Sequence, residues 1–124
     1  MTLLDDRVDE WTDEWVDVCP LDDLVDDRGV CALIDGHPVA VFRCRPDGEL
    51  FALSNIDPFS LESVLSRGIV GSIGDRPVVA SPLYKNRFDL RSGESLDDPT
   101  VAVDRYAIRC VESRIQVKRV GQNV

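Results

Sequence analysis

Apolar and polar positions alternate along most of this chain with a period of two. That spacing sends every second side chain to the same face of a strand. In "EWVDVCPL" (14–21), Trp15, Asp17 and Cys19 share one side and Val16, Val18 and Pro20 the other, which predicts a strand ending at Pro20. "LDDLVDDRG" (21–29) reads as a loop. "VCALIDGHPVAVFRC" (30–44) is two β-rich runs joined at Asp35-Gly36, a strong hairpin signal because glycine accepts the positive φ of a tight turn. Asp47-Gly48 turns the chain into "ELFALSN". Gly68, Gly71 and Gly74 punctuate "GIVGSIG", and "PVVAS" (77–81) is a β-branched run. "NRFDLRSGES" (86–95) predicts a strand and a turn at Ser92-Gly93. Tyr106, Ile108 and Cys110 alternate, a turn follows near Glu112-Ser113, and Ile115, Val117 and Arg119 alternate again. Only "PFSLESVLSRG" (58–68) has helical character. Many short strands with turns every eight to twelve residues predict a small all-β sandwich or barrel.

Composition agrees with a single globular domain. The chain has 124 residues, 44% apolar and 30% charged, enough to bury a core without disulfides or metals. No window approaches the ~18 consecutive apolar residues of a membrane span. The N-terminus "MTLLDDRVDE" lacks the basic-then-apolar layout of a secretory signal, so a cytoplasmic location is expected, with no membrane partner. The net charge of −9 is unevenly placed: residues 1–27 hold eleven of the 23 acids and one base, Arg7. The near-neutral remainder offers no basic footprint for nucleic acid. Residues 1–13 are read as an acidic, partly disordered lead-in with a short helical start, 14–120 as the domain, and 121–124 as a tail.

Candidate chemistry is sparse. Cys19, Cys31, Cys44 and Cys110 are widely spaced, without a C-x-x-C pair, and each has apolar neighbours. They read as buried small hydrophobes rather than disulfides or ligands. A cluster built from these four is the weaker alternative. His37, the sole histidine, falls at a turn, which leaves no Ser–His or Cys–His pair for a hydrolase. "GIVGSIG" lacks the following helix of a dinucleotide fingerprint.

Two segments nevertheless have the frame of metal-binding hairpins. "NIDPF" (55–59) is followed by "LSRG" (65–68), and "SPLYKNRFDLRSG" spans 81–93. They resemble the Rieske iron–sulfur pattern, in which a Cys-x-His loop and a Cys-x-x-His loop hold a [2Fe–2S] cluster. The frame matches at Asn55, Pro58, Leu65, Ser66, Gly68, Pro82, Phe88, Asp89, Leu90 and Gly93. The ligand positions do not: Asp57 and Phe59 stand in the first loop, Ser81 and Tyr84 in the second, and the spacer between the loops is longer than usual. Phenylalanine has no lone pair, and serine and tyrosine hydroxyls are poor ligands for iron–sulfur sites.

Blocks such as "SNIDPF" and "ASPLYK" narrow the resemblance to the small subunit of NAD(P)H-dependent assimilatory nitrite reductase, over roughly residues 14–119. The resemblance implies an all-β, antiparallel Rieske-like fold with two hairpin loops at one tip. It also implies a cytoplasmic oxidoreductase subunit with no catalytic residues and no cofactor of its own. The partner would be a large subunit that carries sirohaem, a [4Fe–4S] cluster and FAD and uses NAD(P)H to take nitrite to ammonium. Phe59 and Tyr84 are expected to fill the place of the cluster, packing on each other or on Leu83. Asp57 and Ser81 are expected to hydrogen-bond backbone N–H groups of the opposite loop. Pro58, Phe59, Pro82, Leu83, Tyr84 and Lys85 form the expected partner-binding tip. A stand-alone Rieske-fold electron-transfer or protein-binding module is the alternative.

Overall fold

The period-two pattern resolves into strands almost wherever it predicts them. A computed structural model of the protein describes residues 14–120. The expectations for residues 1–13 and 121–124 lie outside the described residues. In chain order the strands are β1 (Val16–Pro20), β2 (Arg28–Ile34), β3 (His37–Cys44), β4 (Glu49–Ser54), β5 (Ile56–Asp57), β6 (Glu62–Ser63), β7 (Ile69–Ile73), β8 (Arg76–Ala80), β9 (Arg87–Asp89), β10 (Arg105–Val111) and β11 (Arg114–Arg119). Among the described residues the helical pieces are two 3₁₀ turns, Leu21–Asp23 and Leu65–Arg67. None is long and apolar enough to cross a membrane.

Six strands make one antiparallel sheet in the order β1-β11-β10-β4-β3-β2, and β7-β8-β9 make a second antiparallel sheet. β5 and β6 pair separately. β11 also approaches β2, so the larger sheet curls towards a barrel. The β2–β3 hairpin turns on Asp35 and Gly36, with φ of +53° and +83°, and Ile34 pairs with His37. Two positive φ values in a two-residue loop match the right-handed twist of the flanking strands. The β10–β11 hairpin closes in the same way on Glu112 and Ser113.

β3 and β4 are apolar on both sides because both of their faces are buried. On one face Ala40, Phe42, Cys44, Phe51 and Leu53 meet Leu65, Val79, Phe88, Leu90 and Val103 from the smaller sheet and its connections. On the other face Val39, Val41 and Ala52 meet Leu24, Ile34, Ile115 and Val117. The first core holds the smaller sheet against the larger one, and that places the two loops at one end.

Two expectations are corrected. Residues 58–68 are not a helix. After Pro58 the chain makes a tight turn, the short β6, and a single 3₁₀ turn at Leu65–Arg67. Side chains capture the backbone donors that a helix would use: Phe59 N–H bonds to Asp57, Glu62 N–H to Ser60, and Ser66 N–H to Asn55. The cysteines are not all buried either. Cys44 is buried and Cys19 half-buried, but Cys31 and Cys110 are exposed on β2 and β10.

Candidate functional site

The first loop, 55–68, is organised by Asn55. This residue is 2% exposed, and its side chain spans the loop. Its Nδ2 donates to Ser63 Oγ at 2.8 Å, and its Oδ1 accepts from Ser66 N–H at 2.6 Å. Its backbone carbonyl takes the N–H groups of Val64 and Leu65, and its own N–H donates to Pro38 of β3. A buried amide engaged through both its nitrogen and its oxygen fixes the loop against the sheet.

Asp57 begins the tip of that loop. Its Oδ1 accepts the N–H of Phe59 at 2.8 Å, and its backbone carbonyl accepts the N–H of Leu61 at 2.7 Å. The second loop, 81–93, starts in the same manner at Ser81. Ser81 Oγ accepts from Leu83 N–H at 3.3 Å, and its carbonyl accepts from Lys85 N–H at 3.0 Å. The two starting residues meet: Ser81 Oγ donates to Asp57 Oδ2 at 2.6 Å, and neither residue has exposed surface. That separation falls within the short range of hydroxyl–carboxylate bonds, about 2.5–2.7 Å. One side-chain hydrogen bond therefore clasps the loops together at their base.

The far end of the second loop is held by Asp89. Its Oδ1 accepts the N–H groups of Arg91 and Ser92, and its Oδ2 accepts Arg76 Nε at 2.9 Å. Burial pushes the Asp89 carboxyl up. The hydrogen bonds from Arg76 and the two backbone N–H groups outweigh that and hold it below the ordinary aspartate range. Gly93 has φ +83°, and a Cβ there would collide with the carbonyl of Val103, so the turn tolerates no side chain.

The residues proposed from sequence separate into two groups. Asp57 and Ser81 are brought together, but each bonds a backbone N–H of its own loop rather than of the opposite one. Phe59 is half-buried and packs on Phe88, with ring centroids 6.0 Å apart and planes tilted by 42°. Tyr84 and Leu83 do not fill the interior: they are 65% and 47% exposed. The turn that buries Ser81 leaves the next side chains on the outside. Pro58 and Pro82 are half-buried and Lys85 is exposed. Leu61, which the sequence reading passed over, is 77% exposed at the same end. Its counterpart is Lys85, a match visible in the sequence when "DPFSL" (57–61) is laid on "SPLYK" (81–85).

This donor set does not fit a [2Fe–2S] cluster. The two inner oxygen groups are spent on each other and on backbone N–H groups, and the two aromatic positions offer a hydrocarbon ring and an exposed phenol. No group of three or more His, Cys, Asp or Glu able to hold a metal occurs among the described residues.

Comparison with known proteins identifies the family of the fold. The family model for the Rieske-like [2Fe-2S] domain matches residues 14–118. The nitrite reductase (NADH) small subunit of Escherichia coli (strain K12) is 41% identical over 105 residues, which are 85% of this chain and 97% of that protein. A crystal structure of a proposed NADH-dependent nitrite reductase small subunit from Mycobacterium tuberculosis superposes with a TM-score of 0.84 at 48% identity, covering 88% of this chain and 97% of that one. A third relative is longer: the nitrite reductase [NAD(P)H] large subunit of Klebsiella oxytoca is 35% identical over 103 residues, 83% of this chain but 11% of that protein.

Proposed function

The chain belongs to the nitrite reductase small subunits, within the Rieske-like [2Fe-2S] domain family, and from that premise we propose that it works without a cluster of its own. In this reading it is the small subunit of a cytoplasmic NAD(P)H-dependent nitrite reductase of nitrate assimilation, and it acts by associating with the large subunit. The large subunit then carries the sirohaem, [4Fe–4S] cluster and FAD and takes nitrite to ammonium. The observation that carries the reading is the Asp57–Ser81 hydrogen bond of 2.6 Å, which occupies the two buried positions where a cluster would need thiolates.

Association is supported by the Klebsiella relative. There a homologous stretch lies inside a chain named as the large subunit. A domain that is joined to its partner in one protein and separate in another works in contact with it. The contact surface in this proposal is the tip: Pro58, Phe59, Pro82, Leu83, Tyr84 and Lys85. Aromatic and apolar anchors held on rigid turns suit an interface.

The test is co-expression with the candidate large subunit. The small subunit is expected to co-purify, to raise nitrite-dependent NAD(P)H oxidation, and to contain no stoichiometric iron when purified alone. Leu83→Asp and Lys85→Glu are expected to weaken the association. A brown, iron-loaded small subunit that leaves nitrite reduction unchanged would instead support the stand-alone electron-transfer reading.

A further inference from the structure

Among the described residues, six that are not glycine have positive φ: Asp27, Asp35, Leu61, Lys85, Glu112 and Ser113. This region is disfavoured for side chains with a Cβ, least so for short polar ones. Asp27 is held there by two hydrogen bonds from Arg45. Asp35, Glu112 and Ser113 belong to two-residue hairpin turns that require it. Leu61, at φ +64°, and Lys85, at φ +65°, have neither reason.

Both residues close five-residue turns, through Leu61 N–H to Asp57 O and Lys85 N–H to Ser81 O. The same turn closes twice more, through Gly48 N–H to Cys44 O and Gly93 N–H to Asp89 O. In those two cases the closing residue is glycine, with φ +73° and +83°. Gly93 has no room for a side chain beside the Val103 carbonyl, but Gly48 has, so at Gly48 the backbone conformation alone accounts for glycine. The tip keeps a leucine and a lysine in that place.

Exposure alone would say little, since surface leucines are ordinary. Leu33 is 71% exposed, but it stands in an extended strand that suits it. Leu61 combines 77% exposure with a backbone that disfavours it, and among the described residues its side chain belongs to neither core. Backbone strain of this kind clusters at sites that use it, which points to a contact beyond the described residues.

We infer that Leu61 and Lys85 are contact residues for the large subunit, an inference that rests on the reading of this chain as its partner. Leu61 enters an apolar hollow on that subunit, and the Lys85 ammonium meets a carboxylate at its rim. The two side chains extend from turns joined through the Asp57–Ser81 clasp, so they are presented as one rigid pair.

Leu61→Gly and Lys85→Gly test this without threatening the fold, because glycine is the residue these turns accept most readily. Both variants are expected to melt no lower than the wild type. Binding to the purified large subunit, read by titration calorimetry, is expected to weaken about tenfold or more for Leu61→Gly. Lys85→Glu should bind more weakly than Lys85→Gly, and the difference should shrink at high salt. Leu33→Ser should bind as the wild type does. Wild-type affinity in Leu61→Gly, alongside a loss in Leu83→Asp, would overturn the role of Leu61 and leave the tip as the contact. Full affinity in all tip variants would remove the tip reading too, and no binding by the wild-type chain would remove the partnership itself.

Discussion

Asp57 shows how much of the site hangs on a single side chain. A carboxylate with no exposed surface is tolerated only when donors satisfy it, and here they are the Phe59 N–H and the Ser81 hydroxyl. Ser81→Ala removes one donor and leaves the carboxylate short of a partner. The expected loss is about 1–3 kcal/mol in urea unfolding. Asp57→Ala strands the serine hydroxyl as well and should lose at least as much, whereas Asp57→Asn keeps both oxygen and size and should lose less. An Asp57→Ala protein as stable as the wild type would show that the clasp holds nothing. The sequence shows Asp57 and Ser81 opening two loops of matching form, but not their bond to each other: the expected partners are backbone N–H groups of the opposite loop, and the structure pairs the two side chains instead. The outward position of Tyr84 was not legible either, because it depends on which side of the turn the backbone leaves, and residue type does not report that. The cysteines make the same point. Burial, with Asp27, Glu49 and Asp26 nearby, pushes the Cys44 thiol up to about 11, while Cys31 and Cys110 lie on the surface. Iodoacetamide at mildly alkaline pH should label Cys31 and Cys110 well before Cys44, as read by peptide mass spectrometry.

At the scale of elements, strands were legible where one face is buried and the other is not, as in β11, and where an Asp-Gly pair marks the turn, as between β2 and β3. Residues 58–68 were misread because their apolar spacing fits a helix, while Asp57, Ser60 and Asn55 divert the donors that a helix needs. No count of apolar positions reveals that competition. The β9 turn has its own side-chain anchor in Asp89, whose carboxyl is held below the ordinary range by Arg76 and two backbone N–H groups against the opposing effect of burial. A lowered folded value means that the ionised form is the one the fold prefers. The stabilisation is then complete above the unfolded value of about 4 and is lost as pH falls through the lower folded value. Asp89→Asn should lower stability near neutral pH. It should also flatten, but not abolish, the decline in stability below about pH 4, because Asp17, Asp27 and Asp97 are lowered as well. Urea midpoints measured across that range would expose an error: an unchanged slope in Asp89→Asn would mean that Arg76 and the turn do not favour the carboxylate.

Across the whole molecule, the two hydrophobic cores lie on opposite faces of the same pair of strands. Phe42 and Phe51 pair across β3 and β4 into the core beneath the loops, while Val41 and Ala52 pair into the other. Neither core has a wall of its own on that side, so loss of one should deprive the other of its backing. This predicts that the domain unfolds as one unit in spite of its two sheets. Phe88 and Ile115 are fully buried, one in each core. Phe88→Ala should cost about 3–5 kcal/mol and Ile115→Ala about 2–5 kcal/mol. Trp15 gives a local probe beside β10 and β11, where Arg109 lies 4.1 Å and Lys118 5.1 Å from its ring. With Trp11→Phe as the background, Trp15 is the only remaining tryptophan, and its fluorescence follows the packing of the β1 end against β10 and β11. If the cores are coupled, Phe88→Ala moves the Trp15 transition and the far-ultraviolet circular dichroism transition to the same lower midpoint, although Phe88 belongs to the other core. If the loop end melts separately, Phe88→Ala lowers part of the dichroism transition and leaves the Trp15 midpoint in place. The tip would then be a detachable cap, and its strained turns could not present Leu61 and Lys85 as a rigid pair.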